Sequence, residues 1–438
     1  MLKKDLKSIA SCLGISIHST KRPTLAAFDS RNVEVGSLFF ALEGENHDGH
    51  DFLQEVAQKG AMAAVVSKKY LGSSFGLILL PVEDVRAALQ HLASVIHCEN
   101  PCYVLSVTGT VGKTTTKEFI AELLKKKYRV AKPIGSANSQ VSLPLMLINQ
   151  TDDVDMLILE MGMSFPGEIA RLIEIAPPDF GVLTKVSLVH SENFEDLEAI
   201  ARAKMEMFES EKMGSTLFNL ETMDFCAVQQ SKLKKTFYSL EDPHADYALK
   251  REEGHVIVIE KGIKSPPLKV SFKASHLLEN FLCAVAVARM HELTWGEIQR
   301  ASKTLNPYLH RFQIVERCGI KFVDDSYNAS VVSVKAALDN LPAGKKTIAL
   351  LGSMKELGKF SDQCHEEVAR HALPLVDELL CIGDETEPMV KVFKEAGKRV
   401  EKVATRGEAK KKIDSLAKEG DVVLIKGSNS LQLWKILD

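Results

Sequence analysis

The strongest restriction on the fold of this chain is a glycine-rich turn set between an apolar run and an amphipathic segment. Residues 108–116 read Thr-Gly-Thr-Val-Gly-Lys-Thr-Thr-Thr. The apolar run 103–107 precedes them as a buried strand would, and the segment after them places on one helical face Phe119, Ile120, Leu123 and Leu124. The turn has the shortened pattern G-x-x-G-K-T, because Val107 stands where the full phosphate-loop pattern has its first glycine. This order of elements predicts a nucleotide-binding phosphate loop; a plain glycine turn with a surface lysine is the alternative.

Each residue type in this loop suits the binding of phosphate. Glycines let backbone N–H groups approach an anion closely, and the N-terminus of the following helix adds a partial positive charge. Lys113 is predicted to neutralise the β and γ phosphates, and the Thr114 hydroxyl to hold Mg²⁺. The ATP-binding residues predicted in the loop are Gly109, Thr110, Val111, Gly112, Lys113, Thr114 and Thr115.

Length and composition limit the class of protein. At 438 residues the chain exceeds one ordinary core, so two or three domains are expected. Hydrophobic residues make up 45% and charged residues 26%, which favours a folded soluble protein. A net charge of −3 without a basic block argues against nucleic acid as a partner. No run reaches the roughly 18 apolar residues that span a bilayer. The eight scattered cysteines and the lack of a credible signal-peptide cleavage site favour a cytoplasmic location.

Alternating strand and helix patterns predict an α/β fold with three domains. Residues 1–84 are expected to form a small mixed α/β N-terminal domain. Residues 85–307 are expected to form a central P-loop-type domain with a mostly parallel sheet. Residues 308–438 are expected to form a C-terminal Rossmann-like domain. The fingerprint G-x-G-x-x-G is absent, so a dinucleotide is not indicated.

The strand predictions rest on short apolar runs that are bounded by polar or glycine-rich turns. In the first two domains the runs are 38–42, 61–66, 155–159, 180–186, 255–260 and 268–272. In the third domain they are 321–324, 347–351, 378–382 and 422–425.

Three residues in the central domain are candidate ligands, two of them just after predicted strands and one on a predicted helix. Glu160 follows the run 155–159, and ligands bind at the carboxyl ends of parallel strands, so cation binding is favoured for it. His190 lies in the loop after 180–186, and Lys204 borders the apolar stripe of a helix predicted at 195–209. Taken singly, a loop histidine and a helical lysine are more often solvated residues.

The polar loop 43–51 contains two histidines and two aspartates, which could suggest a metal site. The cluster is contiguous and rich in turn residues, whereas metal ligands are usually spread over rigid elements. A structural role is therefore favoured for this loop.

The combined motifs resemble the Mur ligases of bacterial cell-wall synthesis. The resemblance rests on residues 109–116, Glu160, His190 and Lys204, together with the third α/β domain, in collinear order over nearly the whole chain. Within the family, three stretches resemble the members that add D-alanyl-D-alanine: 30–33 running into 36–39, then 324–329 and 352–358.

The resemblance implies an ATP-dependent ligase that joins D-Ala-D-Ala to UDP-N-acetylmuramoyl-tripeptide in peptidoglycan synthesis. Phosphoryl transfer to the tripeptide carboxylate would give an acyl phosphate. The dipeptide amine would attack it through a tetrahedral intermediate, giving an amide, ADP and phosphate. Because the reactants are anions, positive charge is needed between them. The implied partners are these two substrates, without nucleic acid or a membrane span, and a monomer is expected.

The resemblance also implies two Mg²⁺ sites. One Mg²⁺ would be held by Thr114 and Glu160, and the other by His190 and Lys204. An unmodified ammonium repels Mg²⁺, so Lys204 is implied to be carbamylated by CO₂ into a carboxylate-like oxygen ligand. The implied catalytic residues are Lys113, His190 and Lys204.

The remaining substrate contacts are carried over from the same resemblance. The implied adenine and ribose contacts are Asn280, Arg311 and Asp325. The implied UDP contacts are Ser30 and Arg31, and the implied dipeptide contact is Asn328. Without the family, an interdomain salt bridge is the alternative role for Arg311.

Two other functions fit parts of the sequence. Another Mur-type ligase, amino-acid-adding or folylpolyglutamate-type, would share the phosphate loop and the metal ligands. A nucleotide-binding switch would share the loop alone and would not need the third domain. The chain also departs from the family pattern at 138–144 and 184–190, where Asn-Ser-Gln-Val-Ser-Leu-Pro and Thr-Lys-Val-Ser-Leu-Val-His replace Asn-Asn-x-x-Gly-x-Pro and Thr-Asn-Ile-Gly-x-Ala-His.

Overall fold

The computed structural model describes residues 1–44, 47–187 and 193–437. His190, a predicted metal ligand, lies outside the described residues. Internal contacts divide the chain into two compact units, each assembled from several stretches. The first unit contains Met1–Ser106, Tyr128–Gly181 and Glu206–Gly214, and the second contains Val107–Lys127, Val182–Met205 and Ser215–Asp438.

The first unit begins with a small parallel sheet. Its strands lie in the order β1-β2-β3-β4. The elements are α1 (Leu6–Cys12), β1 (Ala26–Ala27), β2 (Leu38–Phe40), α2 (Leu53–Gln58), β3 (Ala63–Ser67) and β4 (Ile78–Val82). Phe39 and Ala64 on the strands pack with Leu53 and Val56 of α2 in one apolar cluster. This packing confirms the strands predicted at 38–42 and 61–66, with slightly different bounds.

The rest of the first unit contains a further group of strands in the order β8-β5-β7-β6. Its elements are α3 (Val85–Glu99), β5 (Tyr103–Thr108), β6 (Val130–Ala131), α5 (Ser142–Asn149), β7 (Met156–Glu160), α6 (Glu168–Ile175) and β8 (Phe180–Leu183). Asp84 caps α3 by accepting a hydrogen bond from the Ala87 N–H at 3.0 Å, which fixes the start of the helix at Val85. Strand β7 is buried along its whole length and ends on Glu160, as predicted.

The second unit contains the ends of β5 and β8 and continues from them in the order β5-β8-β9-β10-β11-β12-β13. Its elements as far as residue 302 are α4 (Lys113–Leu124), α7 (Leu197–Met205), β9 (Ser215–Asn219), α8 (Cys226–Gln230), β10 (Lys235–Ser239), β11 (Tyr247–Glu252), β12 (His255–Glu260), β13 (Ile263–Lys264), α9 (Ser275–Met290) and α10 (Trp295–Ser302). Strands β9, β10 and β11 pair in parallel, whereas β11, β12 and β13 pair antiparallel.

The β-like run predicted at 268–272 is not a strand. Only Leu268 pairs, through an isolated bridge to Val256. Pro266 and Pro267 precede it and have no N–H groups to donate, so the ladder cannot extend in that direction.

The second unit ends in a doubly wound α/β arrangement with strand order β14-β15-β19-β16-β17-β18. Its elements are β14 (Gln313–Arg317), β15 (Ile320–Asp324), α11 (Val331–Asp339), β16 (Thr347–Gly352), α12 (Ser361–Ala372), β17 (Glu378–Ile382), α13 (Glu387–Glu395), β18 (Arg399–Val403), α14 (Arg406–Leu416) and β19 (Val422–Lys426). All neighbouring strands pair in parallel except β14 with β15. Both β15 and β19 therefore deliver their carboxyl ends, Asp324 and Lys426, to the same edge of the sheet.

Within residues 1–44, 47–187 and 193–437, no helix combines the length and the apolar content that crossing a bilayer requires.

Candidate active site

The predicted phosphate loop connects β5 to α4 in the second unit. Gly109 has φ +143° and Gly112 has φ +86°, in the region that favours glycine. A Cβ at Gly109 would lie 1.8 Å from Thr184 Oγ1. The loop therefore requires glycine at position 109 for close packing as well as for its backbone conformation, and Lys113 begins α4 directly after it.

The chain leaving β8 holds this loop in place. Thr110 N–H donates to Lys185 O at 2.6 Å, and Thr184 Oγ1 donates to Val111 O at 2.7 Å. Ser187 N–H donates to Thr110 Oγ1 at 3.0 Å. The strand predicted over 180–186 therefore ends earlier, at Leu183, because residues 184–187 turn to bond the loop.

Two lysines meet at one carbonyl of the loop. Lys113 Nζ donates to Gly109 O at 2.9 Å and to Thr110 O at 3.1 Å, and Lys204 Nζ donates to Gly109 O at 3.0 Å. Lys204 lies on α7 and is only 4% exposed. Burial lowers the pKa of Lys204 well below its ordinary value, and the charge of Lys113 lowers it further. The site thus favours the uncharged amine at Lys204.

Helix α9 brings Asn280 against the opposite side of the loop. Its Oδ1 lies 3.3 Å from Thr116 Oγ1 and only 2.5 Å from the position that a Cβ would take at Gly112. One turn earlier, the ring of His276 packs edge-to-face on Phe312 with centroids 4.8 Å apart. Burial lowers the pKa of His276 to about 4, so this ring is neutral at pH 7.

Arg311, two residues before β14, also lies beside the phosphate loop. Its Nη2 donates to Thr114 Oγ1 at 3.5 Å, and its guanidinium lies 4.0 Å from the centroid of the Tyr327 ring. In the part of the chain that the structure describes, no carboxylate lies within salt-bridge distance of Arg311. An interdomain salt bridge of Arg311, the alternative role, is not seen among these residues.

Asp325 follows β15 and is held by two partners. Its Oδ1 accepts the Phe312 N–H at 3.0 Å, and its Oδ2 accepts from Lys426 Nζ at 2.6 Å. Lys426 also donates to Asn328 O at 2.9 Å. Burial lowers the pKa of Lys426, and its contact with Asp325 opposes that effect. Lys426 was missed as a site residue, although a lysine that ends an apolar strand was a usable signal.

The structure therefore brings together in one unit the phosphate loop, Lys204, Asn280, Arg311 and Asp325. Asn328 also belongs to the second unit, whereas Ser30, Arg31 and Glu160 belong to the first. Glu160 is 1% exposed, and its Oε1 accepts a hydrogen bond from Asn138 Nδ2 at 2.7 Å.

The two predicted UDP contacts follow β1. Ser30 is buried and its carbonyl accepts from Lys59 Nζ at 2.9 Å, whereas Arg31 is exposed and pairs with Asp29 at 2.5 Å.

The polar loop 43–51, whose residues 45 and 46 lie outside the described part, uses His50 structurally. His50 Nδ1 lies 2.6 Å from Asp48 Oδ1, and its Nε2 accepts the Ser67 N–H at 2.9 Å. Its ring stacks on Tyr70 with centroids 5.2 Å apart. Both ring nitrogens are thus engaged by protein groups.

Replacing Gly112 with alanine is expected to weaken ADP binding about tenfold and to lower the free energy of unfolding by about 1–2 kcal/mol. The new Cβ would require strain at φ +86° and would displace Asn280. Calorimetric titration with ADP and thermal unfolding measure the two effects. Gly76→Ala is the matched control, because Gly76 has φ +88° and no atom within 4 Å of a Cβ. If Gly112→Ala and Gly76→Ala bind ADP equally well, the requirement for glycine at position 112 in nucleotide binding is wrong.

Comparison with known proteins assigns this chain to a family. Three family models match in order: "Mur ligase family, catalytic domain" at residues 25–97, "Mur ligase middle domain" at 107–288, and "Mur ligase, glutamate ligase domain" at 310–429. A UDP-N-acetylmuramoyl-tripeptide–D-alanyl-D-alanine ligase of Rickettsia prowazekii is 30% identical over 99% of this chain and 98% of that protein. This chain belongs to the Mur ligase family.

Other Mur ligases give the same result. The Bacillus subtilis ligase of the same name is 29% identical over 100% of this chain and 98% of that protein. The crystal structure of a MurF ligase from Thermotoga maritima in complex with ADP matches with a TM-score of 0.78 and 30% identity, covering 94% of this chain and 96% of that one. The α/β fold class and the Mur ligase resemblance read from the sequence are confirmed.

Proposed function

We propose that this Mur ligase is an ATP-dependent enzyme that joins D-Ala-D-Ala to UDP-N-acetylmuramoyl-tripeptide through an amide bond, in peptidoglycan synthesis. The observation that carries the proposal is the similarity, over nearly the full length of both chains, to ligases named for that reaction. A nucleotide-binding switch would account for the phosphate loop alone.

ATP is the nucleotide that we propose for the loop, and a Thermotoga relative that binds ADP supports this choice. Lys113 begins α4, so its ammonium and the helix N-terminus act on the same phosphate oxygens. Their combined positive charge lowers the barrier for bringing the tripeptide carboxylate to the γ-phosphate. The acyl phosphate that results is then attacked by the dipeptide amine.

Mg²⁺ is proposed as the metal cofactor, with Thr114 and Glu160 as ligands. The donor chemistry fits, because a hydroxyl and a carboxylate are the hard oxygen ligands that Mg²⁺ prefers. When bound, the ion supplies charge neutralisation at phosphate oxygens. Asn138 orients the Glu160 carboxylate through the 2.7 Å hydrogen bond to Oε1.

Lys204 is proposed to be carbamylated. The reaction forms a bond from Nζ to the carbon of CO₂ and releases a proton, so it needs the uncharged amine. The lowered pKa of Lys204 increases the share of this form at any given pH. The product carries oxygen donors in place of an ammonium, which suits the second Mg²⁺ proposed at this residue and His190.

The substrate contacts and the chain's organisation are also proposals. Asn280, Arg311 and Asp325 would contact adenosine, Ser30 and Arg31 the UDP group, and Asn328 the dipeptide. The domains would be 1–84, 85–307 and 308–438. We further propose a cytoplasmic monomer.

The proposal is tested by incubating the protein with ATP, Mg²⁺, UDP-N-acetylmuramoyl-tripeptide and D-Ala-D-Ala. Phosphate and the UDP-linked pentapeptide should form in equal amounts, and both should depend on the dipeptide. Reactions in which a single amino acid or a folate substrate replaces the natural pair test the sister ligases. Phosphate release that ignores the dipeptide would contradict the proposed reaction.

A further inference from the structure

Lys185 is bonded to the phosphate loop through its backbone. Its carbonyl accepts the Thr110 N–H at 2.6 Å, and it forms an antiparallel bridge with Val111. Thr110 and Val111 are the two residues between the loop glycines Gly109 and Gly112. The position of the Lys185 backbone therefore limits the conformation of the loop.

The side chain of Lys185 extends to a different element. Its Nζ lies 3.1 Å from Glu279 Oε1 on α9 and 3.0 Å from Glu221 Oε1, which follows β9. Glu279 directly precedes Asn280, the residue that packs against Gly112. One lysine thus connects the phosphate loop to the helix that presents Asn280.

Glu279 depends on this lysine for its charge. It is 9% exposed, and its Oε1 also accepts a hydrogen bond from Asn219 Nδ2 at 3.0 Å. Burial raises the pKa of Glu279, and the charge of Lys185 acts in the opposite direction. Glu221 is half-exposed and remains solvated without the lysine. Removal of the ammonium would leave the buried Glu279 carboxyl group without its cation, so this group would take up a proton or move toward solvent. In either case the ion pair that ties α9 to Lys185 is lost.

We propose that Lys185 is a positioning residue that fixes the separation between the phosphate loop and Asn280, and thereby sets the affinity for the adenine nucleotide. The proposal rests on the proposed function in one respect, namely that the loop binds ATP. Lys185 acts through Glu279 and does not itself touch the nucleotide. Its charge is therefore required, and arginine can partly replace it.

The test compares nucleotide binding and steady-state kinetics of the full chain. Lys185→Met should raise the Kd for ADP and the KM for ATP about tenfold, while the KM for UDP-N-acetylmuramoyl-tripeptide stays within about twofold. Lys185→Arg should recover most of the affinity. Lys264→Met is the matched control, because Lys264 forms an exposed ion pair with Glu252 at 2.8 Å on the edge strand β13. This control should bind ADP as the wild type does.

A double-mutant cycle with Glu279→Gln tests whether the effect of Lys185 on ADP binding depends on Glu279. If Lys185 acts through Glu279, Lys185→Met/Glu279→Gln binds ADP no more weakly than the worse single variant. Three outcomes would overturn the proposal: an unchanged Kd for ADP in Lys185→Met, an equal rise in the KM values for ATP and for UDP-N-acetylmuramoyl-tripeptide, or additive losses in the cycle.

If Lys185→Met fails to fold, Glu279→Gln takes its place with the same expected rise in the Kd for ADP. ADP binding by the wild type without dipeptide-dependent phosphate release would contradict the proposed reaction and leave this test intact.

Discussion

Replacing Lys204 with alanine is expected to lower kcat at least about a hundredfold, and added bicarbonate should not restore it. The amine that would react with CO₂ is then absent, so no carboxylate-like group can form beside Gly109. Dipeptide-dependent phosphate release, measured with and without bicarbonate, gives the result. In the wild type, removal of dissolved CO₂ should lower the activity, and bicarbonate should return it.

Arginine at position 204 separates two roles of the native lysine. Lys204→Arg keeps a hydrogen-bond donor at this position, where Lys204 Nζ now donates to Gly109 O at 3.0 Å, but it does not form a carbamate. If the carbamate matters, arginine should be as inactive as alanine. Thermal unfolding of each variant controls for loss of fold. Full activity in Lys204→Ala would remove this residue from the mechanism.

The fold could be predicted where strands are buried on both faces. Strands β16, β17 and β19 read as continuous apolar runs, and their bounds differ from the predicted ones by at most one residue. Strand β18 could not be found in this way, because it contains Arg399, Glu401 and Lys402 and has no apolar run. It forms at the edge of the sheet through backbone pairing with β17, and side-chain patterns do not report such pairing.

In the candidate site, too, features set by neighbouring residues in the sequence could be predicted, and features set by pairing of distant segments could not. The loop glycines could be predicted because the requirement for positive φ is local to the turn. The bonds from residues 184–187 to the loop could not be predicted, since Lys185 and Ser187 use backbone atoms that leave no residue signature. The sequence around Lys426 does not indicate that its partner is Asp325, because Asp325 lies 101 residues earlier. Only the parallel pairing of β15 with β19 brings the two together.

Replacing Lys113 with methionine is expected to lower kcat about a thousandfold, which is the loss that follows removal of one strong donor at a reacting anion. The ammonium would no longer offset charge on the β and γ phosphates during transfer to the tripeptide carboxylate. The same assay of dipeptide-dependent phosphate release measures this loss, and the KM for D-Ala-D-Ala should change little. Methionine nearly preserves the side-chain length, so a large loss reports on charge.

A second effect of Lys113→Met distinguishes this lysine from a simple phosphate contact. The charge of Lys113 helps to lower the pKa of Lys204, so its removal raises that pKa. A higher pKa leaves less uncharged amine at a fixed pH, and carbamate formation should therefore shift to higher pH or to more bicarbonate. Carbon-13 NMR of protein equilibrated with labelled bicarbonate over a pH series measures this shift. Lys113→Arg keeps the charge and should titrate like the wild type; identical carbamate titrations in Lys113→Met and Lys113→Arg would show that the two lysines are not electrostatically coupled.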